Sequence, residues 1–274
     1  MRRRGATPDI AHVFDPATRM ATRTARSLRH EYELYLEQEI ENYKESIPRA
    51  AILAIGDEAA AKLAAEAQFT LTELLLCEEV DRIIFRRLRL SAYNTWRRKR
   101  LKLHDEMRRP EHWGLSPADA LVRTIGGRAS DLGAGHVLVA GAAERSALFL
   151  AANGCDVTAV DTELDAIQRV MSAALQAGLA ERVHAVPGEL THWTPSSDAP
   201  LNAVVCCHAA LDALPPRERA RVISVLQGAT ADGGVHLVET IAAGAAAIEE
   251  LRDRYSGWDI SVESERGNWQ VFLA

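Results

Sequence analysis

The sequence predicts an α/β fold: five parallel strands covered by helices, closed by an antiparallel hairpin, and preceded by a small helical domain. Three observations carry this expectation. After Gly114, short aliphatic runs alternate with helical segments, the pattern of a parallel sheet with covered faces. The last two runs are joined by Arg266-Gly267-Asn268, a turn signal for a hairpin and not for another crossover. Before Pro110, apolar residues instead recur at three- and four-residue steps, the period of helices.

Residues 1–25 contain Gly5, Pro8 and Pro16 without sustained periodicity and read as a mobile arm. Its start, MRRRGATPDIAHVFD, is basic but no apolar run follows, so no cleavable leader is expected. No later stretch has the length of a membrane span, and a cytoplasmic location is expected. Residues 26–110 form the predicted helical domain. Leu28, Tyr32, Tyr35, Leu36, Ile40, Tyr43 and Ile47 make one apolar stripe before Pro48. Gly56-Asp57 reads as a stop followed by a cap, with a short alanine-rich helix over Ala59 to Ala67. A further helix starts at Thr70 and shows a wide apolar face through Leu71, Leu74, Leu75, Val80, Ile83, Ile84 and Leu88. The stretch SAYNTWRRKRLKLHDEMRRP continues helically and ends by Pro110. Residues 114–274 form the α/β domain, with strands near 136–140, 156–160, 182–186, 202–207, 234–239, 258–264 and 269–273.

With 47% hydrophobic and 26% charged residues over 274 positions, the chain is of ordinary soluble globular composition. Four cysteines, Cys77, Cys155, Cys206 and Cys207, show no CxxC spacing and no histidine cluster, so neither a metal site nor a disulfide framework is expected. They read as buried small hydrophobes. The net charge of −6 is unevenly spread. Glu31, Glu33, Glu37, Glu39, Glu41 and Glu45 make one segment acidic, and Arg82, Arg86, Arg87, Arg89, Arg97, Arg98, Lys99, Arg100 and Lys102 make another basic. The basic segment interleaves Tyr93 and Trp96, a composition compatible with nucleic-acid phosphate contacts and base stacking. Packing against the acidic segment, within one bundle or between two subunits of a homo-oligomer, would neutralise it without nucleic acid.

Three stretches carry a family resemblance: VLVAGAAERSALFLAANGCDVTAVD, ERVHAVPGELTHW, and LNAVVCCHAALDALPPRERARVISVLQGATADGGVHLVET. Their order, with Leu214-Pro215-Pro216 opening a helix and Gly233-Gly234 before the fifth strand, resembles the class I S-adenosylmethionine-dependent methyltransferases over about Gly114 to Ala274. The resemblance implies a Rossmann-like seven-stranded sheet and S-adenosylmethionine as cofactor. It also implies site residues. Gly141 would end the first strand where backbone and cofactor approach closely, with helix amides beyond it for the cofactor carboxylate. Asp161 would accept from both ribose hydroxyls, and Glu189, where the family more often has Asp, would sit near the adenine amino group. Ala143 and Arg145 lie in the turn, Arg145 as a direct carboxylate contact, and Cys206 lines the floor near the methyl donor. His208 is the candidate catalytic base and substrate contact, with Asp212 and Glu239 as further polar contacts to a small-molecule or macromolecular acceptor.

The chain departs from the family at the first strand. Val139 replaces an acid, Ala142 and Ala143 follow Gly141, and the loop is one residue short, so the third glycine has no counterpart. A non-glycine residue there would be strained by any left-handed backbone angle. The competing expectation is a catalytically inactive, methyltransferase-like protein that serves as an assembly or nucleic-acid-binding module through its basic helix. Methyl transfer from a sulfonium is an in-line displacement, accelerated mainly by alignment and exclusion of water, which explains the absence of a triad signature.

Overall fold

The computed structural model describes residues 27–65, 73–125, 135–141, 143–195, 199–207, 210–241, 248–264 and 269–274. The expected arm over residues 1–25 and the Arg266-Gly267-Asn268 turn lie outside them. The chain divides into two compact units between Arg100 and Leu101.

The first unit is helical. Helix α1 (Leu28–Ser46) starts at Ser27, whose hydroxyl accepts from the His30 amide at 3.2 Å. Helix α2 (Arg49–Ala65) runs without interruption through Gly56, where the sequence reads as a stop. Its flanks explain this: alanines and aliphatic residues favour helix on both sides of the glycine. Helix α3 spans Glu73–Arg87, and Ile40, Ile55, Ala59, Ile83 and Ile84 form the core between α1, α2 and α3. The chain then breaks before α4 (Tyr93–Met107), where continuous helix was expected. Arg89 adopts φ +53°, and the Leu90 amide reaches back to Phe85 O at 3.2 Å, the six-residue closure of a Schellman motif. Arginine occupies the place glycine usually marks, so the stop carries no sequence signal. Tyr32, Tyr35, Tyr93 and Trp96 cluster, with Tyr35 and Trp96 stacked at 6.0 Å and the Tyr32 hydroxyl donating to Ser91 O.

The second unit contains the sheet. After a 3₁₀ turn at Pro110–Trp113 and the short helix α5 (Ala120–Thr124), seven strands follow in register with the sequence expectation. They are β1 (His136–Ala140), β2 (Asp156–Asp161), β3 (Val183–Pro187), β4 (Leu201–Cys206), β5 (Thr230–Ile241), β6 (Ser261–Ser264) and β7 (Trp269–Leu273). Helices α6 (Glu144–Ala152), α7 (Leu164–Gln176), α8 (Pro216–Ala229) and α9 (Ile248–Arg254) lie between them. The sheet order is β3-β2-β1-β4-β5-β7-β6, with β1 to β5 parallel and β7 antiparallel to both neighbours. Strand β5 begins earlier than expected because Thr230 already pairs with Leu201 before a bulge through Gly233-Gly234.

Alternation along the strands sends residues to two cores. Val137, Val139, Val157, Ala203 and Val205 pack with Ala147, Phe149 and Val170 of α6 and α7. Leu138, Ala140, Val160 and Val204 pack with Val222, Ile223 and Leu226 of α8. The chain thus leaves β1 toward one face and β4 toward the other, and the crevice of a doubly wound sheet opens at this switch point.

Candidate functional site

Neighbouring strand ends are stitched together along the carboxyl edge. Gly141 N donates to Val160 O at 3.1 Å, Cys207 N to Ala140 O at 2.9 Å, and Gly188 N to Asp161 O at 2.8 Å. These bonds bring the backbones of Gly141, Asp161, Gly188 and Cys207 to one edge, with Glu189 following Gly188; Cys206, expected to line the floor, is turned into the α8 core instead. Glu239 joins them from β5, one residue beyond the Cys206–Val238 pair.

Gly141 has φ +86°, and a Cβ at that position would sit 2.5 Å from Cys207 O. Only glycine fits such a close approach of the β1 and β4 ends. Ala143 is buried with φ −82°, an ordinary value for an L-residue, so this position does not require the glycine it lacks. Ala142 lies outside the described residues. Arg145, two residues into α6, is exposed, and its guanidinium rests against the Gly114 backbone, with Nη1 3.5 Å from where a Cβ would stand.

Asp161 ends β2, and its Oδ1 accepts from the Glu163 amide at 2.7 Å. That bond fixes the carboxylate at the start of α7 and leaves Oδ2 without a hydrogen bond among the described residues. Glu189 is exposed; Oε2 accepts from the Thr191 hydroxyl at 3.0 Å and lies 3.5 Å from His192 Nδ1. With Thr191, His192, Arg217, Glu218 and Arg221 it lines an open hollow of 320 Å³ between the loop after β3 and the start of α8. The Arg221 guanidinium closes one side by donating to Thr191 O at 2.6 Å.

The two cysteines at the end of β4 differ. Cys206 is fully buried in the core facing α8, and burial pushes its thiol up to about 12. Cys207 sits at the switch point within hydrogen-bond reach of Ser146 and Glu239. Burial, then the Glu239 carboxylate, hold its thiol well above the usual range. A protonated thiol donating to Glu239 is the consistent arrangement. Ser146, 8% exposed, escapes a sequence reading because nothing in ERSALFLA marks a serine turned inward at the first turn of a helix. Asp212 lies in the loop after β4, and its Oδ2 accepts from the Thr240 hydroxyl at 2.9 Å and the Ile241 amide at 3.3 Å. His208 lies outside the described residues.

Among the described residues no group of three or more His, Cys, Asp or Glu could hold a metal ion, and no helix is long and apolar enough to cross a membrane. All four cysteines are free.

No family model matches the chain, and no curated protein matches it. Solved structures similar to it include a TehB-like S-adenosylmethionine-dependent methyltransferase from Corynebacterium glutamicum, at 14% identity and a TM-score of 0.45, over 66% of this chain and 95% of that one. The glycopeptide N-methyltransferase MtfA complexed with S-adenosyl-L-methionine is similar at 15% identity and a TM-score of 0.44, over 57% of this chain and 86% of that one. A methyltransferase from Thiobacillus denitrificans in complex with S-adenosyl-L-homocysteine is similar at 23% identity and a TM-score of 0.36, over 46% and 50% respectively. The chain's own sheet says more than these distant likenesses: its strand order, its five parallel strands and its terminal antiparallel hairpin give the second unit the class I S-adenosylmethionine-dependent methyltransferase fold.

Proposed function

We propose that the second unit binds S-adenosylmethionine and transfers its methyl group to an acceptor in the cytoplasm. The observation that supports this is the alignment of Gly141, Asp161 and Glu189 at the ends of β1, β2 and β3, beside a switch point that opens a crevice. Backbone geometry fits the ligand: the left-handed angle falls on Gly141 and not on Ala143. In this reading the first amides of α6 receive the cofactor carboxylate, with Arg145 near them. Asp161 accepts from the ribose hydroxyls through Oδ2, and Glu189 accepts from the adenine amino group. When bound, the cofactor supplies a methyl carbon activated by a sulfonium. The buried Cys207 at the switch point excludes water, and the strand ends align donor and acceptor.

Calorimetric titration with S-adenosylhomocysteine tests this. Wild-type protein is expected to bind, and Asp161→Ala to weaken binding by about tenfold or more, the worth of a charge-assisted hydrogen bond. Absence of heat and of thermal shift at millimolar ligand would overturn the reading.

One feature favours a second reading, an assembly or nucleic-acid-binding role for the helical unit. Arg100 pairs with Glu31 at 3.2 Å, but Arg97, Arg98 and Lys99 are exposed and carry no ion pair among the described residues. Fluorescence anisotropy with labelled single-stranded RNA at low and high salt separates the outcomes. Salt-sensitive binding lost on replacing these three by Ala supports nucleic acid. A salt-sensitive dimer in sedimentation, lost in the same variant, supports self-association.

A further inference from the structure

Asp212 carries a carboxylate that the protein uses only in part. Oδ2 is engaged by Thr240 and Ile241, which fastens the loop after β4 to the carboxyl end of β5. Oδ1 is shut off from solvent and has no hydrogen-bond partner among the described residues. No Lys or Arg pairs with Asp212 among the described residues. A buried carboxylate oxygen without a donor loses its hydration and gains nothing in return, so it calls for a complement: a bound water, an ion or a ligand group.

A free loop would turn the carboxylate toward water. This loop is not free. Arg219, 1% exposed, donates from Nε to Leu211 O and from Nη2 to Leu214 O, each at 2.9 Å, and from Nη1 to Glu250 Oε2 at 2.9 Å. The backbone on both sides of Asp212 is therefore held by α8, while Oδ2 is held by β5. Surroundings that over-determine a costly arrangement are a mark of functional sites. The position agrees: Thr240 follows Glu239, which hydrogen-bonds the Cys207 thiol at the switch point.

We infer that Asp212 Oδ1 is the hydrogen-bond acceptor for the group that receives the methyl, and that this group is an amine. The inference rests on the cofactor reading above. An ionised carboxylate oxygen accepts and does not donate, so its complement carries N–H or O–H. A carboxylate that no Lys or Arg neutralises among the described residues favours a cation over a neutral hydroxyl. The proton account closes: a bound alkylammonium gives one proton to Asp212 Oδ1, freeing its lone pair. The lone pair forms the N–C bond as the C–S bond breaks, and that bond's electron pair stays on sulfur as a neutral thioether. The product leaves as a methylammonium, and Asp212 returns its proton to water.

Sinefungin, a cofactor analogue bearing an amine where the methyl sulfonium would stand, probes this position without an identified acceptor. Wild-type protein is expected to bind sinefungin about tenfold more tightly than S-adenosylhomocysteine, the worth of a charge-assisted hydrogen bond. Asp212→Asn is expected to remove that preference and leave S-adenosylhomocysteine affinity unchanged. Its melting temperature is expected to equal or exceed that of wild type, because the amide oxygen can still accept from Thr240 and Ile241 while the unsatisfied charge is gone. Three results overturn the inference: no sinefungin preference in wild type, a preference retained in Asp212→Asn, or a lower melting temperature, which marks Asp212 as a structural clip. Wild type that binds neither ligand overturns the cofactor reading and this inference with it.

Discussion

Gly141 is the residue on which the edge of the sheet closes. Its amide holds β2, its missing side chain admits Cys207 O, and its φ of +86° turns the chain toward α6. Gly141→Ala meets two penalties at once, a left-handed angle and a methyl group 2.5 Å from a backbone oxygen. A loss of about 2 kcal/mol or more in unfolding free energy is expected, measured by urea denaturation, with S-adenosylhomocysteine affinity falling as well. Ala143→Gly is expected to leave the loop's geometry unchanged, since φ −82° suits either residue. This contrast shows what a single sequence conveys about a turn. The identity of Gly141 is legible, because a strand-end glycine followed by a helix marks a close approach. The backbone angle at position 143 is not, because a family pattern records where glycines stand and not which of them are needed for their angle. Cys206 and Cys207 make the same point: strand alternation sends one into the α8 core and the other toward Ser146 and Glu239, yet adjacent cysteines look alike in sequence.

At the scale of elements, the strands are nearly all legible and the helical breaks are not. Strands flanked on both sides in the sheet are short aliphatic runs between turn residues, and His136–Ala140 and Trp269–Leu273 fall where those runs fall. Helix ends depend on single backbone angles. Gly56 lies inside α2 with nothing within 4 Å of a Cβ built there, so Gly56→Ala is expected to stabilise the helical unit by about 1 kcal/mol. Arg89 poses the opposite case. It holds φ +53° at the end of α3, an angle that costs an L-residue about 1 kcal/mol, so Arg89→Gly is expected to return a similar amount. Urea unfolding of both variants measures these gains; a loss in Gly56→Ala would show that the added methyl is crowded, and a loss in Arg89→Gly that side-chain contacts outweigh the relief of the backbone angle. The sequence reading inverts the two, because it takes glycine as the mark of a helix end.

Across the whole molecule, acid acts on the two units through different groups. In the sheet unit His236 is fully buried in a closed chain of hydrogen bonds. The Thr230 hydroxyl donates to Leu226 O at 2.7 Å, so it accepts from His236 Nε2 at 2.8 Å, and Nδ1 accepts from the Tyr255 hydroxyl at 2.7 Å. This assigns the neutral ring with its proton on Nε2. Burial lowers His236 to about 4, and burial lowers His136 in the same unit as well. A histidine held neutral contributes fully above its unfolded value near 6.5 and loses that contribution as pH falls toward 4; for His236 the loss approaches about 3 kcal/mol. In the helical unit the buried carboxylate of Glu79 is bound by Lys62 and Arg82, each at 2.5 Å, and by Arg86 at 3.0 Å. The Lys62 hydrogen bond, with the charges of Lys62 and Arg82, lowers Glu79 below the ordinary carboxylate value against the opposing effect of burial. Its contribution is present above that ordinary value of 4.5 and is lost only as pH falls below it. Acid is therefore expected to loosen the sheet unit first. Hydrogen exchange read by mass spectrometry, corrected for intrinsic pH dependence, should show peptides around Thr230–Tyr255 losing protection between pH 6.5 and 4.5 while peptides of α2 and α3 keep theirs. His236→Gln should flatten the first loss, and a variant that kept the full pH dependence would assign it to another group.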